Sequence, residues 1–173
     1  MVVDVQSAAM RLFAACKDEY LAGLWMEISV SADSLAPLCE SEIELMLLAA
    51  FDVQSSMAGR ERFTKIVSQD EVFEFGEETL AVIPQYRWNS YRIDFAVRLK
   101  NWDGILFVEC DGHDFHERTK EQAERDRSKD REVQAAGIPI LRFTGREIYR
   151  NPMSCVLQIQ KFILGRVQTK GAK

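Results

Sequence analysis

Apolar positions recur at two different periods along this chain. In residues 4–28, Val5, Ala8, Ala9, Leu12, Phe13 and Cys16 fall three or four apart, the spacing of one helix face, so one or two N-terminal helices are predicted. Pro37 interrupts them. A further helix is predicted from about Ser41 to Met57, with Ile43, Leu47, Ala50 and Phe51 on one face. After residue 70 the pattern shortens. Residues 72–75, 80–84, 91–99 and 105–110 are β-branched or aromatic runs that read as strands. Asn101, Trp102, Asp103 and Gly104 between the last two read as a hairpin loop. A polar helix over 119–136 follows, closed by Gly137, then a strand over 138–143. Thr144 and Glu147 form a capping box that opens another helix, and a last helix covers 152–164. This order predicts an α/β sandwich on a mixed sheet of about four or five strands. Residues 1–39 form a helical extension, 40–164 the core and 165–173 a flexible tail.

The 173 residues suit one domain. With 47% hydrophobic and 28% charged residues the composition is globular. The longest apolar runs, 45–51 and 138–141, fall far short of the roughly 20 residues of a membrane span. The first twenty residues carry Asp4 and no basic leader, so they do not read as a signal peptide. Cys16, Cys39, Cys110 and Cys155 form no CxxC pair, which fits a reducing cytoplasm and argues against a zinc ribbon. A net charge of −5 disfavours a nonspecific nucleic-acid coat. It leaves room for an enzyme that meets nucleic acid through a local basic surface and a metal.

The chemistry concentrates in Asp94 and in Glu109, Cys110 and Asp111. Side chains alternate along strands, so Ile93, Phe95 and Val97 share one face and Asp94 takes the other. Likewise Glu109 and Asp111 lie opposite Leu106, Val108 and Cys110, which makes Cys110 a core residue. A four-residue loop at 101–104 sets Asp94 across from Asp111 and diagonal to Glu109. A two-residue Asp-Gly turn slides the register by two and keeps the face. Like charges opposed on a sheet are destabilising. A hard divalent cation, Mg²⁺ or Mn²⁺, compensates them with oxygen ligation and brings hydrolytic chemistry. Solvated strand-end acids are the plainer alternative.

YRIDFAV at 91–97, VECDGHDFH at 108–116, TKEQAERDRSKDR at 119–131 and GIPILRFTGREI at 137–148 together resemble the very-short-patch-repair-like branch of the PD-(D/E)XK nuclease superfamily, over about residues 40–162. The resemblance implies a restriction-endonuclease-like three-layer sandwich with an αβββαβ core, and metal-dependent hydrolysis of phosphodiesters in DNA. It implies Asp94 and Glu109 as the metal-binding acids, with Glu44 of Ser41-Glu-Ile-Glu44 reaching the same site; Asp111 joins them by the strand-face pattern and not by the resemblance. The superfamily's lysine is absent: Asp111 stands there. Lys120 and Lys129 are the lysines of the following helix; Lys120 is the nearer to the strand end, so Lys120 or His116 is expected to activate water.

Each assignment has a structural counterpart. Glu44 also fits a capping box with Ser41. His113 and His116, the two histidines of the chain, suit acid–base work, metal ligation or a helix-entry turn. A zinc site from Asp111, His113 and His116 lacks a fourth ligand. Gln85, Arg92, His113, Arg127 and Lys129 are candidate nucleic-acid contacts. Trp88 and Tyr91 read as base-stacking rings or as hairpin packing. No organic cofactor and no membrane are expected. Cleaving both DNA strands would require a homodimer or sequential nicks. The competing functions are the same fold acting on RNA, and a silent nuclease fold that only binds nucleic acid or protein.

Overall fold

The computed structural model describes residues 19–57, 64–70, 79–99, 102–112 and 119–170. Helix α1 (Glu19–Leu35) runs into a 3-10 turn at Ala36–Leu38 around Pro37, and α2 (Glu42–Met57) follows. The strands are β1 (Thr64–Ile66), β2 (Leu80–Trp88), β3 (Tyr91–Leu99) and β4 (Trp102–Asp111). Then come α3 (Lys120–Ala135), β5 (Ile140–Thr144), α4 (Gly145–Arg150) and α5 (Pro152–Lys170). Helix α5 continues past residue 164, into the segment expected as a tail. Among the described residues no helix is long and apolar enough to cross a membrane.

The sheet has five strands in the order β1-β2-β3-β4-β5. The two outer pairs, β1–β2 and β4–β5, are parallel, and the inner pairs are antiparallel. β1 was not foreseen; three residues are too few to show alternation. The strand expected at 72–75 lies outside the described residues.

Helix α2 is buried around its circumference, with Leu45 through Phe51 all at 1% exposure or less. A helix apolar on every side belongs inside a core. It lies between α1 and α5 and against one sheet face, where Leu80, Val82, Phe95, Val97, Leu106 and Val108 meet it. Reciprocal amide contacts between Gln54 and Gln160 tie α2 to α5. The other sheet face carries Ala81, Ile83, Ala96 and Phe107 and is covered by α3 through Val133. These are the three layers of a restriction-endonuclease-like sandwich. Helix α3 is polar because one apolar anchor suffices to hold it. Its ends are fixed by a Thr119–Gln122 capping box and by Gly137, whose φ of +67° favours glycine.

The β3–β4 hairpin departs from the sequence reading. Trp102 already pairs with Leu99, so Trp102, Asp103 and Gly104 belong to β4 and not to a loop. The register then shifts between Val97 and Leu99: Val97 pairs with Leu106. A bulge on β4 absorbs the extra residues. The Trp102 indole folds over Gly104 so closely that a Cβ there would lie 2.3 Å from the ring. Glycine thus permits the bulge that sets which acids face each other.

Candidate active site

The β3–β4 ladder proceeds to the Phe95–Val108 pair. One residue further, Asp94 lies across from Glu109 and not from Asp111, which corrects the expected register. There the Asp94 carboxylate accepts the Cys110 backbone N–H at 2.7 Å. A side chain has taken a donor that a continuing ladder would have used. The β2–β3 ladder is interrupted at the same level. Pro84 pairs with Phe95 and Tyr86 with Ile93, but Gln85, which would face Asp94, is skipped and adopts a φ of 52°. A non-glycine residue in that region costs on the order of 1–3 kcal/mol and persists where its surroundings hold it. Face alternation breaks on both strands here. Tyr86 packs on the same cluster as Ile83, and Ile93 on the same cluster as Ala96. Ile93 therefore does not share a face with Phe95 and Val97, as simple alternation predicts.

Residues of six elements, α2, β2, β3, β4, α3 and β5, meet at this irregular level. Glu44, in the first turn of α2, is buried and fully engaged. Its Oε1 accepts the Ser41 hydroxyl at 2.7 Å, and its Oε2 accepts the Glu40 N–H at 3.0 Å and the Gln85 side-chain amide at 2.6 Å. Ser41 in turn accepts the Glu44 N–H. Capping thus accounts for part of Glu44's environment, and Gln85 links it to the sheet. From the other side, Lys129 of α3 places Nζ 2.6 Å from Glu109 Oε2. Arg142 of β5 stands 3.8 Å from Glu109 and 3.8 Å from Asp111, and is paired with Asp130. Asp111 is thereby drawn toward β5.

Lys129, not Lys120, is the lysine brought to the acids. Lys120 begins α3 and is exposed. The two are nine residues apart, about 13 Å along a helix axis. The signal for Lys129 is Val133, the buried anchor of α3: a residue four positions earlier lies on the same face. His113 and His116 lie outside the described residues.

Burial pushes the Asp94 carboxyl up to about 7. The Cys110 N–H opposes that shift, Glu109 and Glu44 add to it, and Lys129 opposes it. Burial also holds the Cys110 thiol well above its usual value and Cys39 at about 12. Cys110 packs on the core, so it is a poor nucleophile, in line with its expected core role.

Beside the acids lies a groove of about 620 Å³, lined by Asp94, Arg87, Arg92, Tyr91, Arg125 and Lys129 among others. Arg92 is ion-paired with Glu40. Arg127 lines an adjoining groove that shares Tyr91 and Arg125. Trp88 stacks on Tyr91 and meets Phe107 edge-on, and the Tyr91 hydroxyl bonds Glu132. These rings are hairpin packing.

The oxygen donors of Asp94 and Glu109 suit a hard divalent cation. Glu109 Oε1 is buried with no donor among the described residues, an acceptor that such an ion or its water would satisfy. Among the described residues no group of three or more His, Cys, Asp or Glu is gathered to hold a metal. The convergence of three carboxylates is therefore not found. Two carboxylates with water and substrate phosphate still make an ordinary Mg²⁺ environment.

A protein-family model, REase_MTES_1575, matches residues 69–163. The match includes Gln85, Asp94, Glu109 and Lys129 and leaves Glu44 outside. No curated protein and no solved structure matches significantly.

Proposed function

The chain belongs to the restriction-endonuclease-like REase_MTES_1575 family, and from that premise we propose that it is a metal-dependent endonuclease hydrolysing phosphodiester bonds in DNA. Within the superfamily we assign it to the very-short-patch-repair-like branch, on the YRIDFAV and VECDGHDFH segments. The observation that carries the activity is the position of Asp94 across from Glu109, one residue beyond the last Phe95–Val108 pair, with Lys129 2.6 Å from Glu109.

In this reading Asp94 and Glu109 hold Mg²⁺ or Mn²⁺. When bound, the ion lowers the pKa of a water and offsets charge on a phosphate oxygen. Lys129 takes the part of the superfamily's displaced lysine. Its ammonium lies at the acids and stabilises negative charge that grows on the attacking and phosphoryl oxygens. Arg87, Arg92 and Arg125 seat the backbone phosphates along the groove that ends at Asp94. Arg92 exchanges its exposed pairing with Glu40, worth little in water, for a phosphate.

A plasmid-nicking assay with Mg²⁺, Mn²⁺ and EDTA tests this. Cleavage is expected with either metal and not with EDTA. Asp94→Ala and Glu109→Ala should each retain less than about a tenth of the rate, a loss of at least roughly 1.4 kcal/mol of barrier stabilisation. DNA binding with no cleavage under any metal would shift the reading to a silent nuclease fold.

A further inference from the structure

Gln85 carries three features that a strand-end amide does not need. It holds a left-handed backbone at φ 52° without being glycine. It occupies the position across from Asp94 where the ladder is skipped. Its amide is polarised: Nε2 donates to Glu44 at 2.6 Å, while Oε1 is buried with no donor among the described residues.

The orientation of that amide follows from chemistry. An ionised carboxylate only accepts hydrogen bonds, so the Gln85 nitrogen must face Glu44 and the oxygen must face away. Glu44 is itself locked by Ser41 and by the Glu40 N–H, so it fixes the amide rather than being fixed by it. A buried carbonyl oxygen left without a donor costs on the order of 1–3 kcal/mol. Glu109 Oε1, buried and also without a donor among the described residues, lies one strand beyond Asp94. Two orphan acceptors, on the strands to either side of β3, therefore flank the Asp94 position. Two such acceptors call for a cation or for water bound to one.

We infer that Gln85 is a third oxygen donor to the cation site, held in place by Glu44, which acts as a positioning residue and does not touch the ion. This rests on the cation reading of Asp94 and Glu109. It reassigns Glu44, whose two oxygens are already occupied by three donors. A neutral donor also suits the electrostatics. A third carboxylate there would add repulsion to Asp94 and Glu109, whereas an amide oxygen adds coordination without charge.

The test is Mn²⁺ binding by calorimetry and by the loss of the free-ion electron paramagnetic signal, on the full chain without DNA. The variants are Asp94→Asn, Gln85→Leu, Glu44→Gln and the Gln85→Leu/Glu44→Gln pair, each first shown to melt cooperatively in EDTA. Wild type should bind and Asp94→Asn should not. Gln85→Leu should bind at least about tenfold more weakly, and Glu44→Gln should lose a comparable factor, the range for groups that orient ligands. The double variant should lose no more than about the larger single loss, because Glu44 acts through Gln85. If Gln85→Leu binds Mn²⁺ like wild type while Asp94→Asn does not, the Gln85 assignment is overturned and the site reading stands. If the two losses multiply, Glu44 acts independently and the relay is overturned. If wild type binds no Mn²⁺, the cation reading fails, and this inference with it.

Discussion

Asp94 is the residue at which structure, charge and chemistry meet, and its proton is measurable. An unfolded aspartate titrates near about 3.9, whereas burial lifts Asp94 to about 7 in the fold. Between these values the folded chain keeps a proton that the unfolded chain has released. Stability from this group is thus fully present below about pH 4 and is lost as pH rises through 7. Asp94→Asn keeps the shape and an oxygen for the Cys110 N–H, and it removes the titration. In EDTA at pH 7.5 the variant should exceed wild type by about 0.5–2 kcal/mol, the usual yield when a functional group is removed. At pH 5 the advantage should shrink. Millimolar Mn²⁺ at pH 7.5 should reverse the order, since wild type gains linked stabilisation. Urea melts at both pH values decide it; parallel pH profiles for the two proteins would show that Asp94 is not the buried acid described here.

Helix α3 shows how a correct element can still deliver the wrong residue. Its limits were legible from Thr119 and from Gly137, and the observed Lys120–Ala135 follows them. The reading failed on phase, because it assumed that the helix begins at the strand end. Instead the contact with the acids falls in the C-terminal half, set by the packing of Val133 against Phe107 and its neighbours. A helix with one apolar anchor has a weak stripe, and only that anchor could have given the phase. The strands behaved similarly. Asp94 and Glu109 were legible as acids on adjacent strands, but their pairing depended on a bulge at Gly104, and Gln85 on a backbone conformation that no spacing reveals. Lys129→Met should therefore slow cleavage by at least about a hundredfold, within the range for removing a charge-stabilising group. Lys120→Met should stay within about twofold of wild type. Comparable losses in both, measured as single-turnover nicking with intact folds by melting, would detach the chemistry from the middle of the helix.

At the scale of the molecule the charge is −5, yet the groove ending at Asp94 gathers Arg87, Arg92, Arg125 and Lys129. Beyond the screening distance of about 8 Å the net charge is largely hidden from DNA, so any binding must come from the local cations. That gives a footprint that can be counted. Each phosphate neutralised on duplex DNA contributes about −0.9 to the slope of log K against log salt. Four groove cations set a ceiling near about −3.6, well below the slope of a broadly basic binder. Asp94→Asn, deficient in cleavage by the proposed mechanism, lets binding be read without turnover. Adding Arg125→Glu to it should weaken binding at low salt and reduce the slope by about 1, while Arg166→Glu, on α5 beside Phe162 and outside the lining of this groove, should leave it unchanged. Fluorescence anisotropy of a labelled duplex from 20 to 200 mM salt, about a tenfold range, gives both slopes. Equal slopes for the two charge reversals would mean that DNA does not enter this groove.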